Sequence, residues 1–194
     1  WNSAGQLGLA DTEDRGDDPG EMERVVVPRS AAHSDVAVGW EHTCEIRAGD
    51  VLCWGKGEDG RLGVAVEGNV GDDAGEMGSL APVKLGGKRA VSLSLGDCHT
   101  CSLTEDQSVL CWGCGRYGQL GLGHGNGVAA GEVVQINQGQ GTATQVSCGY
   151  LHTCLVMSDR RVLCTGYNKY SQLGLGDTED RLSLQEVGDG SFRA

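Results

Sequence analysis

The sequence predicts an all-β protein built from consecutive repeats, and three observations support this class. First, short strings recur at spacings of 53 to 58 residues, which is the signature of a repeat architecture. Second, apolar residues alternate over short segments that turn residues separate. Third, glycine makes up 33 of the 194 residues and proline only three, a composition that suits short strands joined by tight turns. The recurring positions are Leu7, Leu62, Leu120 and Leu173 in the Leu-Gly strings, His42, His99 and His152 in His-Thr-Cys, and Trp54 and Trp112 before glycine.

Each repeat contains the pattern of an antiparallel meander. Apolar side chains alternate along segments 36–38, 93–95 and 146–148, which predicts a half-buried strand at each place. The His-Thr-Cys tripeptide follows, then a polar turn, then an apolar segment that ends in cysteine. This order predicts a β-hairpin after the first strand of every repeat.

The cysteines define the register of these hairpins. The facing pairs are Cys44 with Cys53, Cys101 with Cys111, and Cys154 with Cys164. This pairing leaves residues 48–49 as a two-residue loop and residues 105–107 as a three-residue loop, and both lengths are common in hairpins. In the same register Cys98 faces Cys114, so two rungs of one hairpin can both be disulfides.

One position after each hairpin is always glycine or asparagine: Asn2, Gly57, Gly115 and Asn168. Both residue types tolerate positive φ, so a left-handed turn is expected at all four positions. The match to GxGxxG at Gly113, Gly115 and Gly118 has the same origin. No helical pattern follows it, which argues against a dinucleotide loop.

The four cysteines 98, 101, 111 and 114 also have the spacing of a zinc ribbon. Two rungs of an extended hairpin lie ~10 Å apart, too far for four sulfurs to reach one ion unless the strands bend. The other repeats keep only the inner pair. Disulfides are therefore favoured, which implies an oxidising compartment: extracellular, periplasmic or the lumen of an organelle. Zinc, and free thiols in the cytosol or nucleus, remain the alternatives. Cys148 occupies an apolar strand position and is expected to be a buried small side chain.

Several strings together resemble the regulator-of-chromosome-condensation repeat. They are HTC followed by an apolar residue at the second position, CWG-x-(G/N)-x-x-GQLGLG, DTEDR at 11–15 and 177–181, and GDD-x-GEM at 16–22 and 71–77. In that family, repeats of about 50 residues form four-stranded blades, and usually about seven blades close into a β-propeller. The resemblance implies one propeller domain, seen here as about three and a half blades of a longer ring: a partial repeat at 1–30, then repeats at 31–88, 89–141 and 142–194.

The charge and the repeated residues limit the function. A net charge of −12 argues against a phosphate-binding surface, and no apolar run approaches the ~20 residues that span a bilayer. The repeated histidines are expected to be structural, and no catalytic residue, metal ligand or cofactor site is assigned. Calcium at the acidic strings is the weaker alternative. The sequence thus predicts a non-catalytic scaffold for protein partners or a peripheral subunit of a larger complex. The family resemblance adds a guanine-nucleotide exchange factor for a small GTPase as the alternative.

Overall fold

The structure, a computed structural model, describes residues 1–16, 33–66 and 68–188 of the chain. Its strands form three antiparallel sheets in which neighbours along the chain are neighbours in the sheet. The first sheet contains β1 His33–Val38, β2 His42–Arg47 and β3 Asp50–Gly55. The second contains β4 Ala90–Leu95, β5 His99–Thr104, β6 Val109–Gly113 and β7 Val134–Gln135. The third contains β8 Ala143–Cys148, β9 His152–Met157, β10 Val162–Gly166 and β11 Arg181–Glu186.

The prediction of an all-β repeat fold is confirmed, with about three blades described. In the first blade, a pair of hydrogen bonds between Gly55 and Val70 takes the place of the fourth strand. Two short 3-10 helices, Glu58–Gly60 and Glu76–Gly78, lie between the first and second blades. No helix in the described ranges combines the length and the apolar character that crossing a bilayer requires.

The hairpin register agrees with the one that the cysteines predict. Arg47 lies opposite Asp50, which leaves residues 48–49 as the two-residue loop. Ala48 and Gly49 both have positive φ, 51° and 85°, as a tight hairpin turn of this length requires. In the second blade the amide of Thr104 donates to the carbonyl of Ser108 at 3.0 Å, which leaves residues 105–107 as the loop.

The hydrophobic core lies between successive blades. Ile46 of the first blade belongs to one buried cluster with Leu93 and Trp112 of the second. Val109 of the second blade belongs to a second cluster with Leu155 of the third. Complete burial of one such side chain contributes about 1.5–3 kcal/mol. Each blade is therefore stabilised mainly by contact with its neighbours, as in other repeat architectures.

The expectation of left-handed backbone at the glycine or asparagine position is wrong. Gly57 has φ −91°, and Asn2, Gly115 and Asn168 are likewise not among the residues with positive φ. Glycine is needed for close approach instead. A Cβ at Gly57 would lie 1.8 Å from the carbonyl oxygen of Gly68, and one at Gly115 would lie 2.1 Å from that of Asn126.

Asparagine solves the same packing problem with its side chain. The amide group of Asn168 is completely buried; it donates to the carbonyl of Asp177 at 3.0 Å and accepts from the amide of Leu173 at 2.9 Å. Asn2 makes the equivalent bonds to Asp11 and Leu7 at 2.8 Å each. The two DTEDR strings are thus loops that close on a buried asparagine, which the sequence pattern did not reveal.

The carboxylates of these loops are used within them. Asp177 accepts from the backbone amide of Glu179 and pairs with Arg181, and both interactions lower its pKa. In the second GDD-x-GEM string, Glu76 accepts from the amides of Gly71 and Asp73, which lowers the Glu76 pKa. The first GDD-x-GEM string lies almost wholly outside the described residues.

Candidate functional site

Two of the three repeated histidines, His42 and His99, lie where one blade meets the next. His42 Nε2 is 2.8 Å from Thr100 Oγ1, and His99 Nε2 is 3.0 Å from Thr153 Oγ1. The Thr100 hydroxyl donates to the carbonyl of Arg61 at 3.0 Å, so it accepts its hydrogen bond from His42 Nε2–H. His42 is therefore the Nε2–H tautomer, and its buried Nδ1 has no partner among the described atoms.

These rings are neutral and tightly enclosed. Burial lowers the pKa of His42 to about 3 and that of His99 to about 4, and it also lowers the pKa of the half-buried His152. A Cβ at Gly39 would lie 2.4 Å from His42 Cε1, and one at Gly96 would lie 2.2 Å from His99 Cε1. Such rings hold blades together and are poorly placed to exchange protons with a substrate.

The repeated tryptophans and leucines also connect successive repeats. Trp54 Nε1 donates to the carbonyl of Gln6, and Trp112 Nε1 to that of Arg61, both at 2.9 Å. In the third blade Thr165 stands at this position, and its hydroxyl donates to the carbonyl of Gly118 at 2.8 Å. Three leucines of the Leu-Gly strings, Leu62, Leu120 and Leu173, are almost completely buried, whereas Leu7 of the first string is 41% exposed.

Four disulfides join the cysteines that face each other in the hairpins. They are Cys44–Cys53, Cys98–Cys114, Cys101–Cys111 and Cys154–Cys164. Three of them occupy equivalent positions in the three blades, and Cys98–Cys114 is specific to the second. All four candidate zinc ligands are therefore bonded in pairs, which leaves no thiolate to bind a metal.

The remaining cysteine lies between the second and third blades. Cys148 Sγ donates to the carbonyl of Ser94 at 3.2 Å, and burial raises the pKa of the thiol to about 12. In the described ranges, His99, Cys101 and Cys148 form a group whose ligand atoms lie within 4.8 Å of one another. Because Cys101 is bonded to Cys111, this group also lacks the thiolates that a metal centre would need.

Side chains that do not repeat converge at one end of the blades. The first strand of each blade leads into a Gly-x-x-His turn, whose second residue is Trp40, Asp97 or Tyr150. The turns are hydrogen-bonded in series, from the Trp40 amide to the Gly96 carbonyl at 3.3 Å and from the Asp97 amide to the Tyr150 carbonyl at 3.0 Å. We call this end the loop face, defined by these turns and by loops 56–59, 114–118 and 167–171.

Aromatic side chains extend across the loop face. Trp40 and Tyr150 are two blades apart in the chain, yet their ring centroids are 5.7 Å apart in an edge-to-face contact. Tyr167 contacts Tyr117 and Tyr170 with centroid distances of 5.1 and 6.1 Å. Trp40 is 67% exposed, Tyr150 55% and Tyr170 83%, so most of this aromatic area faces solvent.

A cleft of about 300 Å³ opens on the loop face between the second and third blades. Its lining includes Asp59, Asp97, Arg116, Tyr117 and Tyr150, together with the Cys98–Cys114 disulfide. Tyr117 recurs as Tyr170 in the next repeat, whereas the turn position of Asp97 and Tyr150 carries a different side chain in each blade. The cleft is therefore the part of the molecule whose chemistry the repeat does not prescribe.

Asp97 is the charged group at the centre of this arrangement. Burial raises the Asp97 pKa, and the neighbouring Arg61 opposes this shift. The same carboxylate raises the pKa of Tyr150. Arg61 itself is 4% exposed and pairs with Asp59 and Glu41 at 3.3 and 3.7 Å.

The repeat pattern alone does not mark Trp40, Asp97 and Tyr150 as site residues. Equivalent residues of a repeat array were expected to be spread around a ring, whereas Trp40 and Tyr150 of the Gly-x-x-His turns are in contact. The signal was present as a constant Gly-x-x-His frame with different chemistry in each copy.

Packed four-stranded blades, joined by the same hydrogen bonds at each boundary, define the chain as part of a β-propeller. Models of the regulator of chromosome condensation (RCC1) repeat match residues 48–103 and 106–156, and a second model of that repeat matches 90–119 and 143–172. The chain belongs to the RCC1 repeat family.

Similar proteins are longer than this chain. The ultraviolet-B receptor UVR8 of Arabidopsis thaliana is 30% identical over 193 residues, which cover 96% of this chain and 40% of UVR8. The human E3 ubiquitin-protein ligase HERC2 is 33% identical over 148 residues, or 75% of this chain and 3% of HERC2. Human WBSCR16 has the same fold, with a TM-score of 0.72, 21% identity and coverage of 97% of this chain and 51% of the other. Prp20p of Saccharomyces cerevisiae gives a TM-score of 0.67 at 16% identity, over 81% of this chain and 38% of Prp20p.

Proposed function

We propose that this chain is a non-catalytic protein-interaction scaffold whose loop face binds partner proteins. The observation that carries the proposal is the exposure of Trp40, Tyr150 and Tyr170 on one face, next to a polar cleft. Tryptophan and tyrosine are enriched at protein interfaces, where they provide most of the binding energy from few side chains. A face of this kind suits a subunit that docks onto a larger assembly.

The internal chemistry supports a binding role over a catalytic one. His42 and His99 are neutral and enclosed between blades, and the Cys148 thiol has a pKa of about 12. A general acid or base functions best with a pKa near the working pH, and a cysteine nucleophile needs its thiolate. These groups therefore serve packing.

The named relatives fit the same proposal. UVR8 is described as a receptor, HERC2 as a ubiquitin ligase, and Prp20p as a protein that binds Gsp1p and histones. Use of the repeat as a protein-binding module is compatible with all three. The exchange-factor alternative predicts instead that the protein accelerates nucleotide release from a small GTPase, which a release assay measures directly.

The proposal includes an oxidising compartment for the protein: extracellular, periplasmic or luminal. It is supported by disulfides at equivalent positions in three blades and by a fourth on the loop face. Disulfides of this kind persist where the surroundings do not reduce them.

Site-specific photo-crosslinking in the native source tests the binding face. A photoreactive phenylalanine analogue replaces Trp40 in one full-length variant. In the control it replaces Glu105, an exposed residue of the hairpin turn at the opposite end of the second blade. We expect a defined protein adduct from position 40 and none from position 105. The same adducts from both positions, or stimulated nucleotide release by the uncrosslinked protein, would contradict the proposal.

A further inference from the structure

The cleft on the loop face is lined by the Asp97 carboxylate and by the rings of Tyr117 and Tyr150. Asp97 occupies the turn of the second blade, while Trp40 and Tyr150 from the first and third blades meet edge to face at 5.7 Å. A ligand that enters the cleft therefore meets a negative charge and the π-faces of aromatic rings together.

The carboxylate of Asp97 has no ion pair within the described ranges. The guanidinium of Arg61 donates to the Asp97 carbonyl at 3.3 Å and pairs with Asp59 and Glu41. Arg116 is 76% exposed and lies 3.8 Å from Asp59. The basic groups of the cleft are thus engaged with other acids, and Asp97 is left to pair with a group from outside the chain.

We propose that this cleft binds an arginine side chain of a partner protein. A guanidinium can form two parallel hydrogen bonds to the Asp97 carboxylate while its planar face stacks on an aromatic ring. Cation–π contacts of this kind involve arginine more often than lysine. The net charge of −12 adds attraction for a basic partner. The inference rests on the proposed function and names the chemistry of the partner at the same face.

Fluorescence anisotropy with two peptides tests the inference on the full-length protein. The probe is a fluorescein-labelled peptide in which arginine alternates with glycine, and its matched control carries citrulline, which has the same shape without the charge. D97N removes the carboxylate charge and keeps the side-chain volume. D159N removes the same charge from an exposed turn at the opposite end of the third blade.

We expect the arginine peptide to bind and D97N to weaken that binding about tenfold, the loss for one charged hydrogen-bonded pair. We expect D159N to stay within about twofold of the parent, because salt screens the attraction of a distant exposed charge almost completely. The citrulline peptide should bind the parent no better than the arginine peptide binds D97N. Near-ultraviolet circular dichroism checks that both variants keep the native fold.

Equal weakening by D97N and D159N, equal binding of the two peptides, or no binding of the arginine peptide would each overturn the inference. Self-association of the parent that D97N abolishes would overturn it too, because a second copy would then occupy the cleft. These results leave the proposed function standing if the position-40 crosslink still identifies a partner. If the photoreactive residue at position 40 crosslinks no partner protein, the proposed function is contradicted instead.

Discussion

Acidification is expected to destabilise the propeller through the buried histidines between its blades. The pKa is about 3 for His42 and about 4 for His99 in the folded protein, against an ordinary value of about 6.5. Because the folded pKa values are lower, the unfolded chain binds more protons as the pH falls. The stability that these residues support is complete above about pH 6.5 and is lost as the pH drops towards the folded pKa values. Between pH 7.5 and 5.0, each histidine should lower the unfolding free energy by about 2 kcal/mol, or about 4 kcal/mol together.

Urea unfolding of the full-length protein at pH 7.5 and 5.0 measures this loss. In the H99Q variant the glutamine amide can still donate to Thr153 but does not titrate, so the variant should lose about 2 kcal/mol less than the parent over this interval. H124Q, in an exposed loop, controls for the removal of a histidine as such. An identical pH dependence in H99Q and the parent would refute the account of His99 as a buried neutral ring.

Three further predictions concern the parts that hold the blades together, each measured by urea unfolding. The G57A substitution should lower the free energy of unfolding by at least about 3 kcal/mol, because the new Cβ would lie 1.8 Å from the Gly68 carbonyl oxygen. In the G78A control no atom lies within 4 Å of the new Cβ, so the free energy of unfolding should change by less than about 0.5 kcal/mol. N168A should lower the unfolding free energy by about 1–3 kcal/mol because it leaves the buried amide of Leu173 without its acceptor, whereas the Asp177 carbonyl keeps the hydrogen bond from Ser171 Oγ. A smaller loss would mean that water replaces the asparagine amide. In the C101S/C111S double variant the free energy of unfolding should fall by about 3 kcal/mol, because the disulfide no longer restricts the unfolded chain by closing a short loop. An unchanged free energy of unfolding would mean that these two cysteines are not joined in the native protein.

Local patterns were sufficient to predict the hairpins. The separation of the facing cysteines determines the loop length at 48–49 and at 105–107, because the side-chain register of an antiparallel pair is rigid. Local patterns did not predict the backbone conformation at Gly57. Glycine is compatible both with positive φ and with close approach, and only the path of the chain past Gly68 distinguishes the two.

The candidate site was less accessible from the sequence than the fold. Trp40 and Tyr150 lie two blades apart in the chain, and their contact depends on how closely the Gly-x-x-His turns of the three blades pack. The repeat shows that the two positions are equivalent but not how far apart they lie. The four disulfide pairs could be listed from the hairpin register, whereas the place of Cys98–Cys114 beside Asp97 in the cleft required the structure.

Hydrogen–deuterium exchange of the full-length protein, with and without the partner identified by crosslinking, tests the central claim most directly. The account predicts slower exchange on binding in peptides that cover the turns at 39–41, 96–98 and 149–151. It predicts no change at the hairpin turns 48–49, 105–107 and 158–161, which lie at the opposite end of the blades. Protection confined to those hairpin turns would contradict the assignment of the loop face as the binding surface.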